Sequence, residues 1–437
     1  MKFCRIVSSV VCMAFLLSSA SVLENIVADA VNIKNVATVS ATDSGTLESG
    51  LEYEVYEDHV VITDCDTSAE GEMIIPDTIQ ELPVTGIGSF AFSFCSSLTS
   101  IAIPDGVTEI GSGAFVNCSA LEAITIPDGV VTIEDSVFFY CSSLKSIIIP
   151  DSVVSIEEDA FCNCSSLESI EIPDNVKNIG DKAFRECSKL QSVVIPNGVT
   201  NIKFCTFFKC SSLKSIIISD SVTSIGAYAF FECSSLTSVT ISNNVTIIDA
   251  YVFEHCSSLT SITIPNSVIN IERSAFQDCS SLTSVTLPNS VINIEENAFQ
   301  DCSSLKSIKI QNPECKIYNE DSYNNDTTIS DTAVIYGYPG STAQEYAERY
   351  NREFVALDEN QNTTNPEILW GDANHDGTVD ISDVVLMNRV YVGVDQVTTQ
   401  GLTNADVDQS GKIELSDSMN VLKLLVHLLE LDNFPIS

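Results

Sequence analysis

Two stretches near the end of the chain repeat one oxygen-ligand spacing. The first reads Asp372-Ala-Asn374-His-Asp376-Gly377-Thr378-Val-Asp380-Ile-Ser-Asp383. The second reads Asp406-Val-Asp408-Gln-Ser410-Gly411-Lys412-Ile-Glu414-Leu-Ser-Asp417. Oxygen-bearing side chains fall at loop positions 1, 3, 5, 9 and 12, with glycine at position 6. A hard cation that takes six to eight oxygens suits this spacing, and the glycine permits the sharp turn that gathers them. The pair therefore reads as two Ca²⁺ sites. Thr378 and Lys412, at position 7, would contribute only backbone carbonyls. Ser410 is a weaker ligand than the Asp at the same position of the first loop, so the second site is expected to be the looser.

Each loop leads into an apolar helical stretch, whereas Asn365-Pro366-Glu-Ile-Leu-Trp370-Gly brings no helix-forming segment to Asp372. A duplicated loop-then-helix unit, closed each time by Asp rather than Glu, resembles the type I dockerin module over residues 369–437. The resemblance implies a small all-α calcium-binding domain that plugs a secreted protein into a cohesin of a cellulosome scaffold. It also implies one Ca²⁺ on Asp372, Asn374, Asp376, Asp380 and Asp383, and a second on Asp406, Asp408, Ser410, Glu414 and Asp417. Cohesin contacts then fall on Ile381, Ser382, Asn388 and Arg389 in one half. Leu415, Ser416, Leu422 and Lys423 match them in the other, a near-twofold surface that can dock in either orientation.

Upstream the chain is periodic. Cysteines stand at 95, 118, 141, 164, 187, 210, 233, 256, 279 and 302, a spacing of 23 without a slip, each followed by Ser-Ser-Leu or a close variant. Periods of 20–29 residues with this leucine spacing mark a leucine-rich-repeat solenoid. In one unit Leu259, Ile262 and Ile264 alternate with polar neighbours, which predicts a short strand with its apolar face inward. Pro265 ends that strand, since it has no N–H for the ladder. Val268 and Ile271 turn inward again, and Ala275-Phe276 anchors a short helical turn on the opposite wall.

Stacked units make ladders of Leu and Phe, and only the neighbours bury what a single unit cannot. The unit resembles the BspA-like class of bacterial leucine-rich repeats over residues 51–357. The apolar stretch 51–64 and Ile74-Ile75-Pro76 carry the likeness at the front, and Ile335-Tyr336-Gly337-Tyr338-Pro339-Gly340 carries it at the back. The expected fold is a mainly β solenoid with short helical turns and a parallel sheet, its open edges covered by 51–72 and 311–357. The calcium module follows a polar linker, 358–368.

Lys2 and Arg5 precede an apolar run and then Ser18-Ser19-Ala20, the pattern of a secretory leader within residues 1–30, with 31–50 as a spacer. The formal charge of −40 disfavours nucleic acid and anionic membrane surfaces, and no later segment reaches the ~20 apolar residues of a membrane span. Cysteines at one position of successive rungs point the same way and so cannot face each other for bridging; they are expected as buried thiols. Cys65, Cys162, Cys205 and Cys315 lie off that ladder and are less constrained.

The chain contains four histidines and no nucleophile or phosphate-loop motif, which points away from an enzyme. Two binding readings remain. In one the solenoid meets a protein or cell surface, as the resemblance implies; in the other it targets plant cell-wall polysaccharide. Outward strand positions carry a serine row from Ser100 to Ser307, while aromatics (Phe139, Tyr140, Phe208, Tyr228, Phe231, Tyr251) gather beside the turns.

Overall fold

The computed structural model describes residues 41–319 and 328–357, together with Val384, Leu386, Met387 and Val421. The chain divides into two units, one of residues up to 308 with 315–333, the other of 309–314 with residues from 334 onward.

The first unit is the solenoid. Most rungs open with a short strand that pairs in parallel with a neighbour; residues 169–171 carry no strand, and Thr240 and Thr263 meet only as a single parallel bridge. Ala123–Thr125 lies beside Ser146–Ile148, and Ser192–Val194 beside Ser215–Ile217 with Val193 opposite Ile216. These strands alternate exposed, buried, exposed, as the period of two requires. A second strand of two residues follows in each rung. Its ladder runs through Asn201–Ile202, Ser224–Ile225, Ile247–Ile248, Asn270–Ile271, Asn293–Ile294 and Lys316–Ile317.

The wall opposite is built from turns. In one rung Ala229, Phe231 and Cys233 each donate N–H three residues back, to Gly226, Tyr228 and Phe230. The residues between them, Tyr228, Phe230 and Glu232, donate forward to Ala250, Val252 and Glu254 of the next rung. This alternation forces two left-handed residues per rung, here Tyr228 (φ 59°) and Glu232 (φ 53°). The helical turns expected from Ala275-Phe276 are therefore single turns that never propagate.

The core is the predicted set of ladders. The rings from Phe92 to Phe299 stack with centroids 5.1–5.6 Å apart, within the separations of favourable aromatic pairs. The Leu row from Leu98 to Leu305 is fully buried beside them.

An N-terminal cap precedes the first rung. The apolar stretch 51–64 is not one strand but two, Leu51–Val55 and Val60–Cys65, paired antiparallel because Tyr56 N–H closes a turn on the His59 carbonyl at 2.8 Å. Asp43–Thr46 adds an outer strand. Glu70–Ile74 and Leu82–Ile87 then pair with the rungs at Ser97–Ala102 and Glu109–Ile110, so the open edge of both sheets is covered at this end.

In the second unit Val334–Gly337 pairs in parallel with Phe354–Ala356 across a helix, Thr342–Arg349. Ser341 caps that helix by accepting the Gln344 N–H, and Ala343, Tyr346 and Ala347 are its buried face.

Candidate functional site: the turn wall and the docking module

The Cys-Ser-Ser-Leu motif is structural. Each ladder thiol from Cys118 to Cys302 donates to a phenylalanine carbonyl 26 residues earlier at 3.1–3.2 Å. The serine after it donates to the serine carbonyl 23 residues earlier, as Ser234 does to Ser211 at 3.4 Å. Burial pushes the Cys141 and Cys302 thiols up to about 12, so they are inert rather than nucleophilic. The ladder cysteines are free thiols, as expected, and so are Cys162 and Cys205.

The two sides of the solenoid differ in what they show to solvent. On the sheet the serine row is joined by an outward row in which Ile148, Val194 and Ile217 are 57–64% exposed. On the wall, the two left-handed positions and their neighbours carry different chemistry in almost every rung. Around rungs two to four, Val116, Phe139 and Cys162 bury one another, with Phe90 and Tyr140 packed against them. Next comes a charged belt: Lys182 pairs with Glu158 at 2.6 Å and Arg185 with Glu186 at 3.2 Å. Asp159 lies inside it. Burial raises its carboxyl to about 6, against the pull of Lys182.

An aromatic patch follows. Phe208 stacks on Phe231 at 4.9 Å and receives the Arg185 and Lys209 cations, each 5.3 Å from its centroid. Tyr228 stacks on Tyr251 at 4.5 Å, with Phe204, 42% exposed, edge-on to Tyr228. Of the aromatics picked out in the sequence, Phe139 is core, whereas Phe208, Tyr228, Phe231 and Tyr251 are half-buried. Sequence reasoning missed Phe204, whose signal is an aromatic in a wall column that elsewhere holds Ser, Asp, Glu, Ala and Arg.

The proposed calcium ligands and cohesin-contact residues of 372–423 lie outside the described residues. Val384, just after the first loop, is helical together with Leu386 and Met387, and so is Val421 after the second; Val384, Met387 and Val421 are buried. Among the described residues no group of three His, Cys, Asp or Glu is placed to hold a metal, and no helix is long and apolar enough to cross a membrane.

A repeat solenoid with a duplicated acidic-loop module at its end defines a binding protein made to be attached to something larger. The model of the BspA type leucine rich repeat region matches residues 72–191, 131–259 and 246–336, and the chain belongs to that family. A dockerin type I domain matches residues 370–426. Type I dockerins bind calcium and pair with cohesins, which links the chain to a cellulosome. No curated protein matches the chain.

Among solved structures, a leucine rich repeat protein of T. pallidum is 34% identical over 44% of this chain and 90% of its own, with a TM-score of 0.41. A leucine rich cell surface protein of Faecalibacterium prausnitzii is 29% identical over 67% of this chain and 99% of its own, TM-score 0.39. A leucine-rich repeat protein of Bacteroides ovatus is 26% identical over 74% of this chain and 100% of its own, TM-score 0.42.

Proposed function

We propose that the chain is a secreted, non-catalytic binding protein whose solenoid takes up a protein or cell-surface partner on its turn wall. The C-terminal module fastens it through Ca²⁺ to a cohesin. On this reading residues 1–30 are a leader, 358–368 a linker and 369–437 the dockerin; the capped solenoid runs to 357 and starts at the strand Asp43–Thr46, inside the spacer expected at 31–50. Residues 372–383 and 406–417 each hold one Ca²⁺, and the paired positions from Ile381 to Lys423 face the cohesin.

The observation that carries the solenoid's part is the contrast between its faces. The outward serine column holds serine with Ala123 as its exception, and the sheet row beside it varies without an aromatic (Ala102, Thr125, Ile148, Glu171, Val194), whereas one wall column reads Phe90, Gly113, Ser136, Asp159, Lys182, Cys205, Tyr228. The wall brings aromatics together with Arg185 and Lys209, and aromatics with arginine are what protein interfaces favour.

A polysaccharide platform needs open ring faces. Here Phe208 and Phe231, and Tyr228 and Tyr251, cover faces of one another, which supports the protein reading over the glycan one. The test compares the full chain with a wall variant (Phe204→Ala, Phe208→Ala, Tyr228→Ala) and a sheet variant (Ile148→Ser, Val194→Ser, Ile217→Ser). Each is assayed for retention on whole cells, on extracted surface proteins and on insoluble plant polysaccharide. Loss on cells or proteins with the wall variant alone supports the proposal. Retention on polysaccharide alone, or loss with the sheet variant alone, overturns it.

A further inference from the structure

Two thiols meet where the N-terminal cap joins the first rung. Ladder cysteines from Cys118 onward have a phenylalanine carbonyl beneath them, but Cys95 has no rung before it. Its Sγ instead lies 3.8 Å from the Asp66 carbonyl oxygen and 4.0 Å from that of Cys65. The Cys65 Sγ lies 3.7 Å from the same Asp66 oxygen. Two sulfurs from different elements thus crowd one acceptor. Both residues are buried, with 1% and 0% of their surfaces exposed.

The objection to bridging within the ladder does not hold here. Successive ladder cysteines are copies of one position and point alike. Cys65 ends the strand Val60–Cys65, whereas Cys95 ends the wall turn ahead of Ser97–Ala102, so the two thiols approach from different elements. Their chemistry is also uneven. The neighbouring Cys95 thiol favours the Cys65 thiolate and lowers its pKa, while the Cys65 neighbour and burial hold the Cys95 thiol well above the ordinary value. One partner is therefore the better attacking thiol.

We propose that Cys65 and Cys95 form an oxidisable pair, closing a disulfide that fastens the N-terminal cap to the first rung while the other ladder thiols stay reduced. The oxidant is a small-molecule disulfide such as oxidised glutathione. The Cys65 thiolate attacks one of its sulfurs and expels one glutathione thiolate, leaving a mixed disulfide. Cys95 loses its proton as it attacks the Cys65 sulfur, and the second glutathione thiolate leaves. One disulfide is reduced, one is formed, and no other electron acceptor is needed. Because the pair is buried, exchange occurs as the cap opens or before it closes. The position is apt, since a terminal rung has one neighbour instead of two and frays first.

The full chain is incubated with oxidised glutathione or with dithiothreitol, its thiols are blocked under denaturing conditions, and it is mapped by mass spectrometry without reduction. The expected result is a Cys65–Cys95 cross-linked peptide in the oxidised sample only. Amide exchange across residues 51–102 should then slow by about tenfold or more relative to the reduced sample, and this difference should vanish in Cys65→Ala. Recovery of both cysteines as blocked thiols after oxidation overturns the proposal, as does Cys65 linked to any other cysteine. The mapping uses the unaltered chain, so a variant that folds poorly does not affect it.

Discussion

The Cys233 thiol donates to the Phe207 carbonyl oxygen at 3.2 Å, 26 residues back. That oxygen already accepts the Cys210 N–H at 3.1 Å, so the thiol serves a second lone pair that water cannot reach. Cysteine fits because it is a small apolar group that still carries a weak donor.

Cys233→Ala should therefore destabilise the solenoid by about 1–2 kcal/mol, from lost packing and one unmet acceptor. Urea unfolding followed by circular dichroism measures this, and an unchanged midpoint would contradict it. With burial holding Cys141 at about 12, iodoacetamide at pH 8 should leave the Cys118–Cys302 thiols unlabelled until the chain unfolds.

The phenylalanine ladder should show position dependence. Phe230 has a ring on each side, Phe207 and Phe253, whereas Phe299 stacks on Phe276 and has Ile329 bridged to its backbone. Phe230→Ala is expected to cost about 3–5 kcal/mol, and Phe299→Ala measurably less. Equal losses in denaturant titrations would argue against stacking as the source.

Two of the expected ladders, Leu and Phe, were legible because one residue type recurs at one spacing and only a stack can bury it. The Cys-Ser-Ser-Leu motif was legible as structural, but not the acceptors its thiols find. The left-handed positions were hidden for a different reason. Tyr228, Lys182 and Cys205 are poor choices for positive φ, and the forward hydrogen bonds to the next rung, not local propensity, hold them there. The same long-range pairing hid the Cys65–Cys95 meeting, which depends on how the cap folds over. The calcium loops are readable as a ligand pattern, since metal chemistry dictates spacing directly.

That account of the left-handed turns predicts an asymmetric response at Ser136, where φ is 56°. Ser136→Gly should stabilise by up to about 1 kcal/mol, and Ser136→Val should destabilise by at least that much. Thermal unfolding of the two variants checks the sign.

Asp159 supplies a pH signature. Its folded carboxyl, raised to about 6 by burial, binds a proton more tightly than an unfolded aspartate near 4. Its contribution is therefore fully present below pH 4 and is lost as pH rises through 6, a swing of up to about 3 kcal/mol. Asp159→Asn should flatten the stability profile between pH 4 and pH 7 and raise stability at pH 7. A profile unchanged by the substitution would place the carboxylate in solvent.

The most direct test of the whole account is calorimetric titration of the full chain with a panel of type I cohesins, in millimolar Ca²⁺ and again with excess chelator. The expected result is tight one-to-one binding to at least one cohesin in Ca²⁺, lost on chelation and lost in an Asp372→Ala, Asp406→Ala double variant. Binding that survives the chelator, or no binding to any cohesin by a calcium-loaded chain, would contradict the assignment.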